Sequence, residues 1–227
     1  MRLRHYSIFN KLEESKINWD YLRENSKEPL YYMPNNIKDY KSIASYHNNK
    51  FIIDHTLEYI NKHNLDKILS LGSGRAILEY QLKIKSNIHT TVSDITNSIK
   101  KIQDFKIFDK VLFIDISKKL EIEISPNTLV LLSRVDTELD DLELESLFKE
   151  LYEKNVTHIL FIPAQLLTVK STIIQFYIYL KSILLNKKLV NCGYSRSKSR
   201  FKKLMQKYFY VDKSYNFKFV FLKNKYL

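Results

Sequence analysis

Two of the chain's three glycines stand two residues apart, at Gly72 and Gly74, inside the stretch 66–94. Residues 67–71 (KILSL) have the composition of a short strand, and the glycines end it. Residues 76–85 have helical composition, and 89–93 form a second strand candidate that ends at Asp94. A strand, glycine turn, helix, strand and acid in this order place a nucleotide-like ligand at the tips of parallel strands. The physics is local. Glycine lacks a β-carbon, so backbone can approach a ligand closely. The helix that follows aims its free amides and the positive end of its dipole into the turn. An acid twenty residues past Gly74 can accept both hydroxyls of a ribose.

Two nucleotide classes lose support at once. The dinucleotide fingerprint needs a third small residue, and that position is Ile77. No G-x-x-x-x-G-K-[ST] loop is present. With one cysteine, Cys192, and six scattered histidines, a zinc cluster is not expected. The same lone cysteine excludes an internal disulfide, and the start MRLRHYSIFN has no apolar run of signal-peptide length, so a cytoplasmic location is expected.

The remainder of the chain extends the pattern. Apolar runs at 110–114, 128–132 and 156–162 read as further strands, ending at Asp115, Ser133-Arg134 and Pro163. Runs such as VLFI and TLVLL imply strands buried on both faces, as in a parallel sheet. Between them, 95–105 and 139–154 read as helices, the latter with acids in its first turns. Residues 46–63 read as a helix leading into the core, and 1–45 as a polar, irregular arm with aromatics, kept from helix at Glu28-Pro29 and Met33-Pro34. The apolar stretch 166–185, interrupted by Lys170 and Lys181, reads as a helix packed on the sheet or over the site rather than a membrane span. Residues 195–207 read as a basic helix, followed by strands at 208–211 and 217–222. Charge is uneven. Residues 1–180 hold 24 Lys/Arg and 24 Asp/Glu, whereas 181–227 hold 13 Lys/Arg against Asp212 alone, so the surplus of +12 sits entirely in the tail. An anionic partner or a solvated basic face both answer to that asymmetry.

The glycine turn with its flanking strands and terminal acid resembles the first motifs of the class I S-adenosylmethionine (SAM) dependent methyltransferases, over 66–163 and more loosely in the tail. The resemblance implies an α/β, Rossmann-like sheet of about seven strands, mostly parallel with an antiparallel C-terminal hairpin, and helices on both faces. It implies a division into an N-terminal extension and lead-in helix, 1–64, and a methyltransferase-like domain, 65–227. It implies SAM as cofactor, held by Ser70, Gly72, Ser73 and Gly74 at the methionine end, by Asp94 at the ribose, and by Ile95, Asp115 and Ile116 around the adenine. Ser70 stands where the family typically carries an acid, and Glu79 is an alternative acid one turn into the helix. Ser133 and Arg134 match the strand end beside the transferred methyl. Asp136 is the first candidate base, with Arg134 beside it and His47 or Tyr194 behind. Tyr194 and Arg196 precede the basic helix, where some relatives hold substrate. The SRVD sequence at 133–136 is not the N/D-P-P-Y/F of amino methyltransferases acting on adenine, cytosine or glutamine. The expected activity is methyl transfer to an oxygen or nitrogen of a small metabolite or glycan precursor, anionic ones included. Two alternatives stay open: an RNA methyltransferase using the basic tail, and a non-catalytic protein that keeps the fold as a binding subunit or scaffold.

Overall fold

The structure, a computed structural model, describes residues 2–5, 19–25, 31–164, 166–184 and 193–226. Cys192 and the Glu28-Pro29 step lie outside them. In chain order the elements are β1 (Arg2–His5), α1 (Trp19–Asn25), α2 (Ile37–Tyr46), α3 (Lys50–Lys62), β2 (Lys67–Leu71), α4 (Ile77–Ser86), β3 (His89–Asp94), α5 (Ser98–Asp104), β4 (Lys110–Phe113), β5 (Thr128–Ser133), α6 (Asp141–Glu153), β6 (His158–Ile162), α7 (Val169–Leu184), β7 (Gly193–Arg196), α8 (Lys198–Met205), β8 (Phe209–Ser214) and β9 (Val220–Asn224). A single 3-10 turn covers Val135–Thr137.

Seven strands form one sheet in the order β4-β3-β2-β5-β6-β9-β8. The first five run parallel, and β9 is inserted antiparallel between β6 and β8. This is the Rossmann-like arrangement expected, with its single reversed strand.

Alternation along the strands divides the core in two. Leu69, Val130, Leu132, Ile159 and Phe161 point to one face, against Leu144, Leu147, Phe148 and Leu151 of α6 and Phe201 and Leu204 of α8. Ile68, Leu129, Leu131, Leu160 and Ile162 point to the other, against Ile53, Tyr59 and Ile60 of α3 and Leu78 and Leu82 of α4. Each fully buried leucine or phenylalanine here contributes about 1.5–3 kcal/mol of transfer free energy. A third cluster joins Met33, Tyr40 and Ala44 to Ala76, Ile77, Tyr80 and Val92. The second and third clusters both span residue 64, so the lead-in helices share core with the sheet.

Three regions differ from expectation. The arm 1–45 contains α1 and most of α2. The Asn36 side chain caps α2 by accepting from the Asp39 amide at 2.9 Å, and Tyr40 and Ala44, one turn apart, bury its inner side. The helix expected from residue 46 is broken at 47–49 and restarts at Lys50. The stretch before the basic helix is a strand: β7 pairs antiparallel with β1, Arg2 opposite Arg196. That pairing joins residues nearly the whole chain apart, which local composition does not report. In α6, by contrast, Asp140 and Glu143 form a capping box, so its start is set by the acids the sequence displays.

Candidate functional site

The C-terminal tips of β2 to β6 share one sheet edge, and the strand order reverses there, with β3 and β4 on one side of β2 and β5 and β6 on the other. A cleft of about 760 Å3 opens at this switch point. Its walls come from residues 72–79, 94–96, 114–117 and 133–135, with Trp19, Asp20 and Arg23 of α1 and His47 just after α2.

The glycine turn forms the floor. Gly72 has φ +70° and Gly74 φ +61°. A β-carbon on Gly72 would sit 2.7 Å from Val135 Cγ1, so both conformation and space exclude a side chain. The Ser73 amide donates to the Ser93 carbonyl at 2.8 Å, and the Gly74 amide donates to Asp94 Oδ2 at 2.7 Å. These bonds tie the turn to the tip of β3. Asp94 Oδ1 also accepts the Thr96 amide at 2.9 Å and the Thr96 hydroxyl at 2.6 Å. Three bonds occupy a carboxylate that takes about four. The Arg23 guanidinium lies 3.7 Å from Oδ1 and donates to the Thr96 and Ser98 hydroxyls, so α1 reaches across this corner. The Ser73 hydroxyl is buried and has no partner among the described residues.

Ser70, where an acid was looked for, lies wholly buried under the floor. Its hydroxyl donates to Glu79 Oε1 at 2.6 Å, and Glu79 is part of the cleft wall. Burial pushes the Glu79 carboxyl up to about 7, against the opposing pull of the Ser70 bond. The serine and the glutamate thus form one unit, nine residues apart in sequence. Over β3 and β4 the walls are apolar, from half-exposed Ile95 with Ile114 and Ile116. Asp115 accepts the Ser117 amide at 3.0 Å and hydroxyl at 2.6 Å.

The other half of the cleft is cationic. Arg134 holds φ +62°, donates its amide to the Ile162 carbonyl at 2.8 Å and lines the wall beside Ser133. Arg75 donates to the Tyr32 carbonyl at 3.0 Å and approaches His47 Nε2 at 3.3 Å. Burial, with Arg23 and Arg134 nearby, holds the Arg75 pKa down at about 10. Burial, then Arg75 and Arg134, lowers that of His47, so its imidazole is neutral at neutral pH. With Arg75 donating to Nε2, the ring proton belongs on Nδ1.

Twelve of the fifteen candidate residues gather here: His47, Gly72, Ser73, Gly74, Glu79, Asp94, Ile95, Asp115, Ile116, Ser133 and Arg134 in the wall, and Ser70 through Glu79. Asp136, Tyr194 and Arg196 are not in the wall. Asp136 is fully buried, and its Oδ1 accepts the Ala164 amide at 2.9 Å. Burial raises its pKa to about 6. Arg196 is also fully buried. Its guanidinium donates to Asp141 Oδ1 at 2.7 Å, to the Leu139 carbonyl at 2.6 Å and to the Asp136 carbonyl. Tyr194 packs its ring 5.2 Å from that guanidinium. The expected base and the two expected substrate contacts therefore belong to a knot that fixes the loop after β5. Arg23, Arg75 and Glu138 line the cleft without having been singled out. Arg75 directly follows Gly74 and was visible as a neighbour of the turn, whereas nothing local marks Arg23.

No family model matches the sequence, and no curated protein does. Solved structures do match the fold. Human N-acetylserotonin methyltransferase in complex with SAM aligns at TM-score 0.51 and 17% identity, over 71% of this chain and 48% of that one. The PH0226 protein of Pyrococcus horikoshii OT3 aligns at TM-score 0.58 and 17% identity, over 86% of this chain and 95% of that one. Magnesium protoporphyrin IX methyltransferase of Synechocystis PCC 6803 with bound SAH aligns at TM-score 0.56 and 13% identity, over 89% and 94%. The chain spans about half the length of the human enzyme. Its fold is that of the class I SAM-dependent methyltransferases.

Proposed function

We propose that this chain is a cytoplasmic SAM-dependent methyltransferase acting on an oxygen or nitrogen of a small anionic metabolite or glycan precursor. The observation that carries the reading is the tie between the glycine turn and Asp94 at the strand-order reversal, the Gly74 amide donating to Asp94 Oδ2. The residues present fit the cofactor: a floor with glycines at Gly72 and Gly74, a buried Ser73 hydroxyl without a partner among the described residues, apolar walls and a carboxylate with acceptor capacity left. Bound SAM would supply a methyl group on a cationic sulfur.

In this reading the turn 72–74 lies under the methionine portion, and the Ser70–Glu79 unit replaces the acid that the family pattern lacks here, holding the ammonium. Asp94 offers its remaining acceptor site to a ribose hydroxyl. Ile95 and Ile116 sandwich the adenine, and Asp115 meets its edge. Ser133 borders the methyl. Arg75 and Arg134 orient an anionic acceptor by charge-assisted hydrogen bonds, and the closed walls exclude water from the reacting atoms. Residues 1–64 act as the cap, contributing Trp19, Arg23 and His47 to the cleft. The basic segment 195–207 gives RNA less to hold than its sequence suggests, because Arg196 and Arg200 are paired with Asp141 and Lys207 with Glu145.

Calorimetry with SAM and with its demethylated product tests the reading. Binding of both is expected, with loss in Asp94→Ala. A folded protein that binds neither would leave the non-catalytic alternative.

A further inference from the structure

Helix α7 exposes large apolar side chains among its described residues. Val169, Ile173, Phe176, Tyr177, Leu180 and Leu184 are between 42% and 83% exposed. At 3.6 residues per turn these six positions fall within about 100° of the helix circumference. They form one continuous stripe, not scattered surface residues. Ser171, on the opposite side, is half-buried and donates its hydroxyl to the Leu166 carbonyl at 2.9 Å. An amphipathic helix of a soluble domain does the reverse, as α6 does with Leu144, Leu147, Phe148 and Leu151. An outward apolar stripe of this extent marks a contact with something else.

The charge pattern says what. Helix α7 contains no Asp or Glu. Exposed Lys170 borders the stripe, and Lys181 follows eleven residues later in nearly the same register. From Lys181 onward the chain holds 13 Lys/Arg and one acid, and a surplus of positive charge remains after the pairing of Arg196, Arg200 and Lys207. The root of α7 is also fastened to that basic segment, through the Leu167 amide donating to the Arg196 carbonyl at 2.9 Å. A second copy would bring like charges together along the stripe. An anionic lipid surface accepts both features: apolar side chains enter the acyl boundary, and lysine stems lie along it with their ammonium groups among the headgroups. At 16 residues the helix lies on such a surface; no described helix is long and apolar enough to cross a membrane.

We propose that α7 docks the protein on anionic phospholipid bilayers. Since α7 follows β6, whose tip contributes Ile162 to the cleft, docking would set the cleft mouth near the bilayer. The inference is independent of the methyltransferase reading, because lipid binding needs no cofactor.

The test is flotation of the full chain with vesicles of phosphatidylcholine alone and of phosphatidylcholine with phosphatidylglycerol. Binding about tenfold or more stronger to the anionic vesicles is expected from the pair of lysines. The variant Ile173→Gln/Phe176→Gln/Leu180→Gln should lose vesicle binding while keeping its melting temperature, since these side chains are already exposed. Lys170→Glu/Lys181→Glu should lose the preference for anionic vesicles. Absent vesicle binding, equal binding by the triple variant, or a concentration-dependent dimer that the triple variant abolishes would each overturn the proposal.

Discussion

The two halves of the cleft are built differently. Over β2 and β3 the floor is tied together within one βαβ unit, Gly74 amide to Asp94, Ser73 amide to Ser93 and Ser70 to Glu79, with Arg23 and Arg75 adding links to the N-terminal arm. Over β5 and β6 the buried polar groups are bound to distant elements. Arg196 reaches back to Asp141, Leu139 and Asp136, and Ser133, Arg134, Thr137 and Glu138 supply the polar groups of the wall. The first half is rigid and specified locally, which suits a constant ligand. The second offers Arg134 as its cationic group, which suits a ligand chosen by other parts of the chain.

Each half buries one acid, Glu79 with a pKa near 7 and Asp136 near 6. The contrast can be broken most severely at Gly72. Gly72→Val forces a β-carbon against Val135 at positive φ, and a loss of about 3 kcal/mol or more in urea denaturation is expected. A stable, cofactor-binding variant would show that the floor is not fixed. Next come the two acids. A carboxyl whose folded pKa is raised favours the fold below its unfolded pKa, and that contribution is lost as pH rises through the folded value. Native stability should therefore fall from about pH 4 upward, through pH 6 for Asp136 and pH 7 for Glu79, by up to about 3 kcal/mol for each group. Glu79→Gln and Asp136→Asn should each flatten part of the profile, the Glu79 part extending to the higher pH. If Glu79 holds a cationic ammonium, only Glu79→Gln also removes a rise in SAM affinity across that window. Asp94→Ala should weaken cofactor binding by about 1–3 kcal/mol in calorimetry. The smallest effect is expected at Arg134→Ala, which should leave cofactor affinity within about 0.5 kcal/mol while lowering acceptor affinity. A large cofactor effect there would merge the two halves.

The same division separates what the sequence discloses from what it hides. Gly72, Gly74 and Asp94 act through bonds within one βαβ unit, so their spacing carried the information. Strands β5 and β6 were legible because burial on both faces writes unbroken apolar runs; β4 carries such a run at the sheet edge with Phe113 exposed, against the expected burial, and β3, HTTVSD, is buried without one. Asp136, Tyr194 and Arg196 sit outside the wall because they contact one another and Leu139, Asp141 and Ala164, and because β7 is paired with β1, nearly two hundred residues earlier. A charged residue near a strand tip looks the same in sequence whether it faces a cleft or a buried carboxylate. Helix α7 shows a second limit: periodicity reveals that a helix has an apolar side, not which way that side turns. Arg23 shows a third, since α1 meets Asp94 only through the folded arm.

The turn Val135–Thr137 touches two of the three glycines. Gly72 lies against the Val135 side chain, and a β-carbon at Gly193 would come within 2.5 Å of the Thr137 carbonyl. These three residues are wedged between two thin spots of the backbone, one under the cleft and one in the terminal β1–β7 ribbon. Any displacement of the wedge must be felt at both ends, so the first and last thirds of the chain are mechanically geared to each other through a single tooth.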